Sequence, residues 1–302
     1  MNSSVKKIIL DEGFSGDIYE NSDISELTTI KIGGRARFLL YPADEKDLVL
    51  LAKIIKKIDA KYFILGSGSN TIFKDGIYNG IVICLAKMNT FSVFLDGFIL
   101  VEAGCPLYKV ISKAHETGFI GMEELIGIPG SVGGAVMSNA GAFGKSIGEF
   151  IEDLEVITKE GKIVVLQKGD FSFSYRTVHI KNTMPFAISK VKLRLIRGNI
   201  REAKKRMNLF LRKRRTQQPF DQPSAGSVFK NPSGMHAAEL IDACGLKGER
   251  IGGLEISKKR ANFIVNLGSG TRKDFDALVS IVRKEVFKKF SVKLEMEVVC
   301  VG

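Results

Sequence analysis

Residues 127–144 read GIPGSVGGAVMSNAGAFG, with no charge, one proline, and glycine, alanine or serine at most positions. So little side chain leaves three readings: a flexible linker, a close-packed turn, or a backbone cradle for a phosphate-bearing ligand. Glycine accepts positive φ, and backbone without Cβ atoms can bring N–H groups up to phosphate oxygens. A second small-residue loop, LGSGSN at 65–70, follows the apolar run YFIL. Ser67, Ser69, Ser131 and Asn139 add neutral donors, which suit a pyrophosphate held without a counter-cation. Either loop alone reads equally well as a structural turn; the pair favours the cradle, with Gly133 where backbone approaches the pyrophosphate.

Two better-known phosphate motifs fail. Gly144-Lys145-Ser146 ends like a Walker loop, but the position of its first glycine holds Asn139. Gly66 and Gly68 start a GxGxxG pattern that Thr71 breaks. The four cysteines are scattered and form no CxxC pair, so reduced thiols are expected. The three histidines are isolated and no metal site is expected. No apolar run is long enough to span a membrane, and the N-terminus lacks the features of a secretory signal. The net charge of +12 favours polyanionic partners. Its densest focus, RKRRTQQ, reads equally as a solvated helix face, and Phe210 is the one aromatic near it.

Apolar spacing predicts helices over 45–59, 106–118, 199–215 and 271–290, and a short one ending at Gly245. Thr271 is the expected N-cap of the 271–290 helix, with an acidic residue at its third helical position. Strands are expected at 62–66, 80–88, 98–104, 186–196, 251–257 and 262–268. A hairpin is expected over 153–167 around Glu160-Gly161. A terminal strand over 292–302 would place Glu295 and Glu297 on one face. The shift to a strongly basic helix sets an expected boundary near residue 198, with an α+β region on either side.

Three further constellations stand out: FSFSYR ending in Tyr175-Arg176, PSAGSVFKNP with Ser227, Lys230 and Asn231, and LEMEV with Glu297. In their order and spacing, with TTIKIGGRARFLL, LGSGSNTIFKD, the 127–144 stretch and GLKG, they resemble the UDP-N-acetylenolpyruvoylglucosamine reductase family over nearly the full chain. The short interval from Arg176 to Ser227 resembles its compact branch. The resemblance implies an α+β fold: a two-part FAD-binding domain of the vanillyl-alcohol-oxidase (PCMH) type over 1–198, split near 80–90, and a substrate-binding domain over 199–302.

It also implies roles. Arg176, Ser227 and Glu297 would be catalytic: a cation at the substrate carboxylate, a proton donor, and a group that holds a proton or orients a donor there. FAD would lie on Gly66, Ser67, Gly68, Ser69, Asn70, Gly130, Ser131, Gly133, Gly134, Asn139, Ala140 and Gly141. Tyr175, Lys230 and Asn231 would touch the substrate. NADPH and UDP-N-acetylglucosamine enolpyruvate would be the reactants of a cytoplasmic monomer that binds no nucleic acid. Two departures stand at the substrate side: Gln217 replaces a common lysine, and Arg260 a usual histidine. The competing classes are a basic nucleotide- or RNA-binding protein without chemistry, and an oxidase of the same fold acting on a small alcohol. Against the oxidase, the glycine loops offer no histidine or cysteine as a flavin tether.

Overall fold

The apolar spacing of EKDLVLLAKIIKKI produces the helix Glu45–Ile58, which buries Leu48, Leu51, Ala52, Ile54 and Ile55. Asp44 caps it by accepting the Asp47 N–H at 3.1 Å, and Asp59 ends it at φ 49°. The structure, a computed structural model, describes residues 2–302, with side chains from Val5 onward. Two compact units emerge: residues 1–20, 38–67 and 79–211 in one, and 21–37, 68–78 and 212–302 in the other. Each is assembled from segments distant in sequence.

The first unit is built on an antiparallel five-stranded sheet. Its spatial order is Ile163–Gln167, Ile151–Thr158, Pro185–Arg194, Phe98–Glu102, Phe91–Val93. The first two strands form the expected hairpin, with Gly161 at φ 72° in its loop. Alternation buries Leu154, Val156, Val191, Leu193, Ile99 and Val101 in the core, which the helix Leu107–Glu116 joins through Leu107, Val110, Ile111 and Ala114. The small-residue stretch contains a helix of its own, Val132–Met137, too short for periodicity to reveal.

The second unit has a separate core. Its antiparallel sheet runs Ser224–Ser227, Phe263–Asn266, Leu254–Ile256, Arg250–Ile251. The helix Arg272–Phe290 covers it with Phe275, Leu278, Val279, Val282 and Val286. Thr271 and Asp274 form the capping box expected at its start. The expected terminal strand shrinks to Val299–Val301, paired in parallel with Thr71–Phe73. Upstream of it the chain touches its neighbour only intermittently, through a Phe229–Met296 bridge. Among the described residues no helix is long and apolar enough to cross a membrane.

One buried charge ties the first unit together just before the small-residue stretch. Glu123 is 2% exposed, and its carboxylate accepts from the Gly121 N–H and meets His115 Nε2, both at 3.0 Å. Arg206 Nη2 stands 3.4 Å from it. Burial pushes this carboxyl up, but the hydrogen bonds from Gly121, its own backbone, His115 and Arg206 outweigh burial and hold it below the ordinary range. A carboxyl depressed in the folded state contributes stability above its unfolded pKa, about 4.3, and loses it as pH falls through the folded value. Glu123→Gln lacks that contribution. The stability gap between wild type and variant in urea unfolding is therefore expected to be full at neutral pH and to close in acid. A gap independent of pH would assign the effect to shape rather than charge.

Candidate active site

In the first unit the two glycine loops touch. Gly66 follows the strand Tyr62–Leu65, and a Cβ built on it would lie 2.3 Å from Ser131 Oγ, closer than any real side chain approaches. Ser131 is 1% exposed and caps Val132–Met137 by accepting the Gly134 N–H at 3.3 Å. The other first-turn donors are also used by protein: Val132 N–H goes to Cys105 O and Gly133 N–H to Ala103 O, both at 2.8 Å. The missing Cβ of Gly133 makes room for Ala103 Cβ, 2.7 Å from where its own would stand, so the position packs closely against protein. Gly130, whose carbonyl accepts from Leu107 N, lies at φ 138°. Ala140 N–H returns to Ala135 O at 2.8 Å.

Arg176 sits in the two-residue turn of a hairpin formed by Phe171–Ser174 and Thr177–Ile180. Its φ of 58° is a left-handed conformation that costs a non-glycine residue about 1–2 kcal/mol. Nη2 donates to Gly141 O at 3.2 Å, and the guanidinium lies 5.1 Å from the ring centroid of half-exposed Tyr175. Ser174 Oγ and His179 Nε2 are 2.8 Å apart beside the turn. Asn139, 7% exposed, directs its amide to protein: Nδ2 donates to Ser174 O at 2.9 Å, and Oδ1 accepts from Gly148 N at 3.1 Å.

In the second unit Ser227 ends its strand, opposite Phe263. The C-terminal segment lies alongside: Glu297 N–H donates to Val228 O at 2.8 Å, and Lys230 N–H to Glu295 O at 2.9 Å. Asn70, from the first glycine loop, donates Nδ2 to Glu297 O at 3.0 Å. Three expected site residues distant in sequence, Asn70, Ser227 and Glu297, thus come together. Gly68 has no alternative, since a Cβ there would stand 1.9 Å from Leu27 O. Lys230 Nζ reaches the exposed Glu295 carboxylate at 3.7 Å, and Asn231 Oδ1 accepts from Ala237 N at 3.0 Å, at the start of the helix Ala237–Ala243. Glu295 is exposed while Glu297 is half-buried. Gln217 is exposed at the end of the helix Ile200–Gln217, and Arg260 is half-buried in the turn before Phe263.

Sequence reasoning passed over Asn262. Its carbonyl accepts from Val228 N at 2.9 Å, its Oδ1 from Phe229 N at 3.0 Å, and its Nδ2 donates to Phe229 O at 2.8 Å. It fixes the backbone that follows Ser227. The available signal was an amide at the head of the apolar run FIV, a place where a buried polar group needs partners.

The packing of Gly133 yields a stability prediction. Gly133→Val forces atoms into Ala103 and is expected to lower stability by about 1–3 kcal/mol through overpacking. Gly134→Ala, on the exposed side of the same turn, should be tolerated. Urea unfolding of the two variants checks the contrast; equal stabilities would reject the packing role.

Comparisons with known proteins bear on the family. A family described as "FAD binding domain" matches residues 36–167, and one described as "UDP-N-acetylenolpyruvoylglucosamine reductase, C-terminal domain" matches residues 218–301. The UDP-N-acetylenolpyruvoylglucosamine reductase of Carboxydothermus hydrogenoformans is 35% identical over 302 residues, 100% of either chain. That of Clostridium kluyveri is 39% identical over 287 residues, 95% of this chain and 93% of its own. The crystal structure of UDP-N-acetylenolpyruvylglucosamine reductase from Thermus caldophilus has a TM-score of 0.79 at 32% identity, covering 95% of this chain and 99% of that one. The α+β fold thus contains an FAD-binding domain followed by the family's C-terminal domain. Both parts occur in one chain that aligns end to end with its relatives, so the chain belongs to the UDP-N-acetylenolpyruvoylglucosamine reductase family.

Proposed function

We propose that this protein reduces UDP-N-acetylglucosamine enolpyruvate to UDP-N-acetylmuramate with NADPH and FAD, a step of peptidoglycan precursor synthesis, as a cytoplasmic monomer. The observation that carries the reading is the juxtaposition of Ser227 with Glu297 through the Glu297 N–H to Val228 O bond, in a chain of this family. We assign the FAD-binding role to the first part of the chain, up to about residue 198, and the substrate role to the remainder.

The residues fit FAD. Gly66 lies where a Cβ would collide with Ser131 Oγ, and Gly68 where one would collide with Leu27 O; Ser67, Ser69, Asn70, Gly130 and Ser131 are assigned to the same cofactor. Ala140 and Gly141 complete the proposed cradle, with Gly133 and Gly134 shaping its backbone. Bound there, FAD would supply hydride transfer between NADPH and the enolpyruvyl double bond. The chain's own residues bind, orient and supply the proton.

Arg176 is assigned to the substrate carboxylate. A hydride arriving at the terminal carbon pushes electrons toward that carboxylate, and a planar, permanently charged fork stabilises charge that develops mainly in the transition state. Ser227 delivers the proton to the remaining carbon. A serine is a weak acid, so cations near its hydroxyl must favour the alkoxide left behind; Lys230, three residues on, is the candidate. Glu297 holds a proton or orients a donor at the same carboxylate. Tyr175 and Asn231 complete the substrate contacts, and the net charge of +12 suits three polyanionic ligands.

Replacing Ser227 with alanine separates two steps of one cycle. Reduction of the flavin by NADPH requires no protein acid and is expected at near wild-type rate in Ser227→Ala. Anaerobic reoxidation by the UDP substrate should slow by about 10²–10⁴-fold, the usual worth of general acid catalysis. Stopped-flow flavin absorbance reads both. Equal slowing of the two steps would make Ser227 a positioning residue, and no slowing would remove it from the reaction.

A further inference from the structure

Asn139 stands in the cofactor stretch, yet both ends of its amide serve the arginine hairpin and its support. We propose that Asn139 is a positioning residue for Arg176, coupling the small-residue stretch to the arginine rather than binding cofactor; this rests on the function proposed above. Two hydrogen bonds bracket the turn. Asn139 Nδ2 donates to the carbonyl of Ser174, the residue just before the turn, at 2.9 Å, and Arg176 Nη2 donates to Gly141 O, two residues beyond Asn139, at 3.2 Å. The orientation of the amide is set independently, because Gly148 N–H donates to Oδ1 at 3.1 Å and a Cβ on Gly148 would lie 2.9 Å from that oxygen and 2.6 Å from the Phe173 ring. Residue 148 is thus confined to glycine by Asn139 on one side and by the hairpin on the other.

The turn has need of such support. Arg176 is held at φ 58°, a conformation that persists only where its surroundings over-determine it. Asn139 is itself at φ 40°, which asparagine tolerates better than most residues and which brings its short amide within reach of Ser174 O. Aspartate at 139 keeps the size and an acceptor for Gly148 N–H but sets an oxygen against Ser174 O. Glycine removes the amide and accepts the positive φ without strain.

Asn139→Asp and Asn139→Gly are therefore expected to retain flavin and to be reduced by NADPH at near wild-type rate. Reoxidation by UDP-N-acetylglucosamine enolpyruvate should slow about tenfold to a hundredfold, the scale of a misplaced binding group. In the flavin-free protein, amide hydrogen exchange across residues 171–180 should rise in both variants. In an Arg176→Ala background, Asn139→Gly should slow reoxidation by less than about twofold more, since its effect passes through the arginine. Full additivity there, or unchanged reoxidation in both single variants, overturns the positioning role. Loss of flavin with equal slowing of both half-reactions returns Asn139 to the cofactor site and overturns it as well. A wild-type flavin that the UDP substrate cannot reoxidise refutes the proposed function itself, a result separate from any difference among the variants.

Discussion

Backbone passing within contact distance of other atoms is the constraint on which the first unit's site depends. A Cβ would stand 2.3 Å from Ser131 Oγ at Gly66, 2.7 Å from Ala103 Cβ at Gly133, 2.6 Å from Lys145 O at Gly141, and 2.6 Å from the Phe173 ring at Gly148. Each distance is below the closest approach between non-bonded carbon or oxygen atoms, so glycine is required by packing before any ligand is considered. Within the stretch from 127 to 144 this holds at Gly133 and Gly141, whereas Gly144 has open space around it. The Arg176 hairpin is tied to this stretch by the hydrogen bonds from Asn139 Nδ2 to Ser174 O and from Arg176 Nη2 to Gly141 O.

The second unit solves a different problem with a different device. The segments that carry Ser227 and Glu297 are largely irregular backbone beside a core, and buried polar backbone needs partners. Asparagine side chains supply them. Asn262 satisfies Phe229, Asn70 takes the carbonyl of Glu297, and Asn266 donates to Ile30 O at 2.9 Å while accepting from Gly268 and Gly270. An amide can imitate one step of a sheet ladder, pairing with N–H and C=O together. Ser227 and Glu297 owe their proximity to these bridges and to two backbone bonds, not to a continuous strand.

The charge acts at another level. Several ion pairs join exposed groups, such as Lys56 with Glu160 and Lys145 with Glu149, and such pairs add little stability. The excess of cations works as a field that favours polyanions. Within the basic run RKRR, however, Arg214 is 6% exposed while Arg212, Lys213 and Arg215 face solvent. A charge run is therefore not uniformly a solvated face, and helix periodicity alone does not reveal which member turns inward.

Local regularities were legible in the chain by itself. The helix Glu45–Ile58, the hairpin from Ile151 to Gln167 and the capping box at Thr271 follow from apolar period, turn residues and an N-cap signal, each spanning only a few neighbouring residues. Motif order likewise carried the family and the residues to inspect. The tertiary structure alone decided what those residues touch: Gly133 against Ala103, Asn139 reaching Ser174, Asn70 beside Glu297, and a C-terminal segment that bridges rather than forms a strand. The physical reason is range. Period and turn chemistry act between near neighbours, while hydrogen bonds across 35 residues or 227 depend on where the folded backbone leaves a donor and an acceptor face to face.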